Sequence, residues 1–278
     1  MEKLPATTGL LWVKQGFALF RKQPAEMSML FLAYMFLMLA VGIIPLLGQV
    51  LPLILVPAFS IAFLQACVNI EQGKRITPRL LLTGFRSPAI GNLLKLGVVY
   101  LFAAAVAAGA SSLIDGGVFW NVLTGQIALD AKTVQDSDMA SAMLLSALLY
   151  VPVSMAFWYA APLVAWHKMG IVKALFYSFF AVLRAAKPFM AFALAWAIIG
   201  VVFPTMLSLL AVLMLGSSVA VMAILLPLSV VLTVIMYCSF YPAYTSIFGK
   251  ISGKFKYGNF LFDFLRCHTG HGIFQRAM

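Results

Sequence analysis

The side chains able to do chemistry are few, and most of them stand apart. His167, His268 and His271 are the three histidines, and Cys67, Cys238 and Cys267 are the three cysteines. Only RCHTGH (266–271) gathers such donors, placing Cys267, His268 and His271 within five residues. That set could take up zinc with a fourth ligand from elsewhere. It lacks the second cysteine pair or the carboxylate of a recognisable zinc site, so no metal is expected. His167 beside Lys168 reads as an interfacial cap, and Cys67 and Cys238 read as small packing residues rather than a disulfide framework. No paired carboxylates, nucleophile motif or phosphate loop accompanies the histidines. The expectation is a protein that is not an enzyme and carries no cofactor.

The chemistry that remains is that of positive charge at a surface. Lys14 and Arg21 are seven residues apart, Arg79 and Arg86 repeat that spacing, and Lys173 and Arg184 are eleven apart. Seven and eleven residues both return to one helical face, within about 20° at ~100° per residue. Opposite the first pair lie Leu10, Val13, Phe17 and Phe20, the i, i+3, i+7, i+10 pattern of an apolar face. A helix in the membrane plane fits: its aromatics sit at the acyl boundary and its cations face anionic headgroups, each worth ~1 kcal/mol near such a surface. The apolar face of the second segment is poor, and a basic loop with incidental aromatics is the other reading there. Lys14, Arg21, Arg79, Arg86, Lys173 and Arg184 are thus the candidate headgroup-binding residues. Membrane lipids, with anionic headgroups foremost, are the expected partners, alongside a possible protein partner in the membrane. A net charge of +11 therefore records orientation rather than nucleic-acid binding.

These residues need elements to hold them, and the composition says which. The chain is 63% hydrophobic and 10% charged, with a mean hydropathy of +1.02, against about 25% charged residues in soluble domains. Six stretches free of Asp, Glu, Lys, Arg and His run over about 27–47, 50–68, 96–114, 141–165, 189–214 and 219–248. Each is near the ~20 residues that cross a bilayer as a helix, and runs of that length have no other way to pair their backbone there. With the N-terminus inside, 18 of the 19 lysines and arginines fall on the cytoplasmic side and only Lys132 lies outside. That distribution predicts two cytoplasmic termini. The expected fold is all-α and integral to the membrane: one domain over 1–249 and a basic, aromatic cytoplasmic tail over 250–278.

With that topology the basic segments, ending at Pro24, Pro88 and Pro188, each precede an outward-going span. The chain then reads as three tandem parallel hairpin units, about 8–70, 75–166 and 168–249. The returning spans echo one another at their inner ends in QACVNIEQGK, APLVAWHKMG and YPAYTSIFGK, each running to a glycine suited to a helix end. Polar groups inside the spans include Ser112, Ser154, Tyr159, Ser208, Thr233 and Tyr237, and such hydroxyls mostly serve as hydrogen bonds to helix carbonyls. Should the protein pass a substrate, Ser154, Tyr159, Thr233 and Tyr237 are the residues expected to line its path. No span carries a charge, which weighs against ion-coupled transport.

The combination GLLWVKQGFALFRKQP, LLLTGFRSPA, WYAAPLVAW and YCSFYPAYTSIFG resembles a family of uncharacterised six-pass inner-membrane proteins of β-proteobacteria, over about residues 8–249. The resemblance implies placement in a bacterial inner membrane, and it carries no reaction, substrate or functional residue onto these positions. Mitochondrial carriers also have six helices in three units, but their proline, acid and base signature is absent, since PAEMSM at Pro24 has an acid and no following base. The expected function is that of a scaffold, lipid-organising element or complex subunit, with an uncoupled permease or lipid translocator as the alternative.

Overall fold

A computed structural model describes residues 4–44, 47–127, 138–215 and 218–250. The tail with Cys267, His268 and His271, and Lys132 with its neighbours Asp130 and Asp136, lie outside these. Among the described residues every regular element is helical. Six helical stretches of 19 to 29 residues are long and apolar enough to cross a membrane: Pro24–Gly42, Val50–Glu71, Ile90–Asp115, Met139–His167, Ala186–Met214 and Val221–Phe248. Their outward surface is greasy, with Phe36, Leu144, Met190 and Leu213 each about 70% exposed, as helices that meet acyl chains require.

Helix boundaries follow the prolines and glycines. α1 (Thr7–Lys22) stops at Gln23 because the residue before a proline is driven from the helical region, and Pro24 then opens α2 (Pro24–Gly42) at its first position. α3 (Leu47–Glu71) continues through Pro52 and Pro57 and ends at Gly73, whose φ of +72° turns the chain away. A 3₁₀ turn (Pro78–Leu82) and the single-turn α4 (Thr83–Arg86) lead into α5 (Ile90–Gly109). Two short helices, α6 (Ser112–Asp115) and α7 (Val118–Leu123), follow at the opposite end.

α8 (Met139–Phe157) and α9 (Ala160–His167) form one span broken at Trp158 and Tyr159. Pro162 causes the break, because it has no N–H to offer the carbonyl four residues back and its ring crowds that carbonyl. α10 (Ile171–Arg184) is followed by α11 (Ala186–Ala197), a wide π turn (Ile198–Val202) and α12 (Phe203–Leu215). Pro204 beside that turn removes the bond to Gly200 and explains the widening. α13 (Ser218–Phe248) runs unbroken through Pro227 and Pro242.

The three basic segments each rest on a returning span of a different part of the chain. α1 packs on α13 and α11, the 3₁₀ turn and α4 pack on α3, and α10 packs on α8 and α9. Close backbone approach makes three of these contacts: a Cβ on Gly9 would stand 2.1 Å from the Pro188 carbonyl oxygen of α11. A Cβ on Gly16 would stand 2.6 Å from the Ser239 Cβ and 2.8 Å from its Cα; one on Gly84 would stand 2.1 Å from the Ala58 carbonyl oxygen. Small residues let membrane helices meet in this way, gaining dispersion contacts where no hydrophobic effect separates protein from lipid.

The face that α1 buries consequently differs from the one its large apolar residues suggest. Gly9, Trp12, Val13, Gly16 and Leu19 are buried, while Leu10 is 55% exposed and Phe17 stacks on Trp196 at 6.5 Å. The ends of the returning spans differ in one detail as well. Gly73 and Gly249 have positive φ, but in the middle span Lys168 (φ +52°) takes the left-handed position and Gly170 does not.

Candidate functional site

At the basic end of the bundle, Lys14 and Arg21 on α1, Arg79 in the 3₁₀ turn, Arg86 on α4, and Lys173 and Arg184 on α10 are all exposed. Lys173 Nζ lies 5.8 Å from the centre of the Tyr177 ring, within reach of its negative face. Among the described residues one ion pair forms, Lys250 Nζ to Glu71 Oε1 at 2.5 Å, and the Tyr241 hydroxyl donates to the other Glu71 oxygen at 2.6 Å. Glu71 closes α3 and Lys250 follows α13, so this cluster ties the ends of two returning spans together.

Two clefts open at the same end. One, of about 290 Å³, lies between α1, α3 and α13 and presents Gln15, Lys22, Glu71, Thr245 and Lys250. The other, of about 360 Å³, lies between α3, α4 and α9 and presents Gln65, Thr83, Arg86, Ser87 and Trp166. Both combine a cation with hydroxyl or amide groups beside an apolar wall, the chemistry that holds a phosphate on a lipid. The connection before α2 is fixed to the one after α3 by Gln23, whose Nε2 donates to the Lys74 carbonyl (2.8 Å) and whose Oε1 accepts from the Ile76 N–H (3.0 Å).

Deeper, α3, α13 and the break between α8 and α9 surround a cavity of roughly 130 Å³. Each contributes three residues, among them Phe63, Trp158, Tyr159 and Phe240. The break is held open from outside by Ser178 of α10, which is fully buried. Its hydroxyl accepts from the Tyr159 N–H and donates to the Met155 carbonyl, both at 2.9 Å. These are two of the backbone groups that the break frees, and one side chain satisfies both.

Of the four residues expected to line a path, Tyr159 and Tyr237 share this cavity. Thr233 instead borders a separate cleft with Trp196 and Ser229, of about 490 Å³, and its hydroxyl donates to the Ser229 carbonyl at 2.8 Å. Ser154 lines neither, and donates to the Val151 carbonyl at 2.7 Å. Ser112 likewise donates to the Gly109 carbonyl of its own chain at 2.7 Å. Cys67 and Cys238 are free, buried and in one apolar cluster. His167 Nε2 and the Tyr244 hydroxyl lie 2.7 Å apart. Among the described residues no group of three or more His, Cys, Asp or Glu is placed to hold a metal ion.

Sequence reading missed Ser178, Gln23 and the joining of Glu71 to Tyr241 and Lys250. Ser178 left one trace, a lone hydroxyl in the aromatic run FYSFF. The Glu71 cluster left none, since its members lie about 170 residues apart in the chain.

Compared with known proteins, the chain is 37% identical over 256 residues to a probable inner membrane protein of Burkholderia thailandensis, an alignment spanning 89% of this chain and 93% of that protein. No family model matches the chain, and no solved structure matches it.

Proposed function

This chain belongs to the family of the probable inner membrane protein of Burkholderia thailandensis, and we propose that it is a non-enzymatic protein of the inner membrane that gathers anionic lipid headgroups at its cytoplasmic, basic end. The observation that carries this reading is the exposure of all six stripe cations, Lys14, Arg21, Arg79, Arg86, Lys173 and Arg184, at one end of the bundle. The two clefts beside them give a headgroup somewhere to settle. Leu10 and Leu11, about half exposed next to Lys14, add the apolar surface that an acyl chain would cover. Retention of basic residues on the cytoplasmic side supports the orientation, with both termini inside.

The packing of the basic segments supports a further element of the proposal, three parallel hairpin units closed in a ring. Each segment rests on the returning span of another unit: the first on the third, the second on the first and the third on the second. In such a ring the segments form a collar in the membrane plane, and the collar is the working surface, as a scaffold or lipid-organising element. The alternative, an uncoupled permease or lipid translocator, draws on the central cavity. That cavity, at roughly 130 Å³, is of the size that admits a benzene-sized molecule, and a phospholipid headgroup with its phosphate is larger.

Native mass spectrometry of the protein released from nanodiscs of mixed phosphatidylglycerol and phosphatidylcholine tests the proposal. The retained lipid is expected to be enriched in phosphatidylglycerol, and replacement of the six stripe cations by Gln is expected to remove the enrichment. Retention in proportion to the bilayer composition, or enrichment indifferent to the six substitutions, contradicts it.

A further inference from the structure

The two clefts at the basic end differ in what they can recognise. We propose that the cleft at Arg86 is a defined site for a phosphate ester of an uncharged polyol, the chemistry of a phosphoglycerol headgroup. The inference rests on the reading of this end as a headgroup-binding surface and adds one specific site to it.

The cleft is lined by Ile61 and Gln65 of α3, by Thr83, Arg86 and Ser87 at α4, and by Trp166 of α9. Its hydrogen-bonding groups leave a surplus of donors. Gln65 gives one N–H to Asn69 Oδ1 at 3.2 Å and keeps a second. Ser87 Oγ accepts from the Ala89 N–H at 3.2 Å, so its own proton is free to be given. The Thr83 hydroxyl and the Arg86 guanidinium bond to no group among the described residues. Among those residues no carboxylate lines the cleft. Such a wall matches a ligand that is rich in acceptor oxygens and carries negative charge, and a phosphate diester is both.

The donors stand on a fixed frame. A Cβ on Gly84 would lie 2.1 Å from the Ala58 carbonyl oxygen, so α4 meets α3 backbone to backbone. Thr83 comes one residue before that contact and Arg86 two residues after it, so the backbone that carries them needs no ordering when a ligand arrives. The cleft volume of about 360 Å³ falls within the ~300–1,000 Å³ of small-molecule sites.

Charge decides the alcohol of the ester. In the other cleft Lys22 and Lys250 share the space with Glu71, which Lys250 already pairs. An anion there meets like charge. At Arg86 the reverse holds: the ammonium of an ethanolamine or choline headgroup would meet a cation and find no carboxylate. A hydroxylated, uncharged alcohol instead pairs with Thr83, Ser87 and the Gln65 carbonyl. Ile61 and Trp166 give the ester an apolar wall, and tryptophan suits the depth at which headgroup and acyl chain meet.

The test is native mass spectrometry of the purified full chain in detergent, which resolves lipid adducts one at a time. The first adduct of phosphatidylglycerol should be at least five-fold tighter than that of phosphatidylethanolamine. Thr83→Val with Gln65→Leu removes donors and no charge, and should weaken the phosphatidylglycerol adduct by roughly five- to thirty-fold, the span of two net hydrogen bonds. Arg86→Gln should weaken it by ten-fold or more, and Lys187→Gln, at an exposed lysine outside the cleft, by less than two-fold. Should the double variant fail to fold, Thr83→Val alone decides, with an expected loss of roughly three- to ten-fold. Glycerophosphoglycerol, the same headgroup without acyl chains, separates the sources. Displacement of the lipid at equal concentration assigns the site to a soluble ester, and a need for ten-fold more assigns it to the lipid; both agree with the chemistry proposed. Phosphatidylethanolamine bound as tightly, or a phosphatidylglycerol adduct indifferent to Thr83→Val, overturns the site. If the six-cation replacement still removes the enrichment in that case, the collar stands without the site. If Arg86→Gln by itself removes the whole enrichment, the site stands and the collar falls.

Discussion

Ser178→Ala removes one oxygen and exposes the logic of the broken span. In the native chain that oxygen accepts from the Tyr159 N–H and donates to the Met155 carbonyl, each at 2.9 Å, in a position with no solvent exposure. Alanine leaves both backbone groups without their partner. An unsatisfied buried group costs about 1–3 kcal/mol, and side-chain bonds within membranes measure toward the lower end of such ranges. The expected loss is therefore about 2–4 kcal/mol in all. At about 2–4 °C per kcal/mol for a chain of this size, the midpoint of thermal unfolding in detergent should fall by roughly 5–15 °C. Ser246→Ala is the control, since that exposed hydroxyl bonds only to the Ala243 carbonyl of its own helix, and its loss should stay within ~0.5 kcal/mol. Hydrogen exchange gives the local readout: the Tyr159 amide should lose protection in Ser178→Ala while amides in the middle of α13 keep theirs. A Ser178→Ala chain as stable as the native one, with Tyr159 equally protected, would refute the claim that α10 holds the break open.

Three other outcomes follow from the packing and the charges. Gly16→Ala sets a Cβ against the backbone of Ser239, which cannot yield as a flexible side chain would, so α1 should lift and stability should drop by about 1–3 kcal/mol; protease cleavage within α1 reports the lifting. Lys168→Gly relieves the left-handed backbone at φ +52° and should raise stability by up to ~1 kcal/mol, where Gly73→Ala and Gly249→Ala should lower it by a similar amount; chemical denaturation in mixed micelles measures all three. With the native cysteines replaced, Thr124→Cys should react with an impermeant thiol reagent from outside the cell and Ser252→Cys only after the inner face is exposed, and the reverse pattern would invert the orientation.

The six spans were legible because an apolar run of ~20 residues without a charge has few other fates, and the boundaries at Gln23 and Pro24 were legible because proline acts locally. The binding face of α1 was not. Periodicity weighs large apolar side chains, so Leu10 and Phe17 outranked Gly9 and Gly16, although in a membrane the glycines permit the closest approach. The break at Trp158 and Tyr159 was half visible, in Pro162, but α13 passes through Pro242 unbroken. What separates the two is Ser178, which accepts the freed N–H from another helix. Tyr159 and Tyr237 could be named as cavity residues from their type alone, whereas their meeting place needs Phe63 as well, nearly a hundred residues from Tyr159 in the chain. Thr233 and Ser154 fell elsewhere because a helix carbonyl of their own lay within reach.

The proposed function is tested most directly by the lipid at the protein surface. Spin-labelled phosphatidylglycerol and phosphatidylcholine, each introduced into liposomes containing the protein, give by electron paramagnetic resonance the fraction of lipid immobilised on it. One cation at an anionic surface contributes ~1 kcal/mol, about a five-fold preference. The relative association constant for phosphatidylglycerol should therefore exceed that for phosphatidylcholine by several-fold, fall as salt shortens the Debye length from about 30 Å at 0.01 M to about 3 Å at 1 M, and approach unity when Lys14, Arg21, Arg79, Arg86, Lys173 and Arg184 are replaced by Gln. Equal immobilisation of the two lipids at low salt would contradict the account.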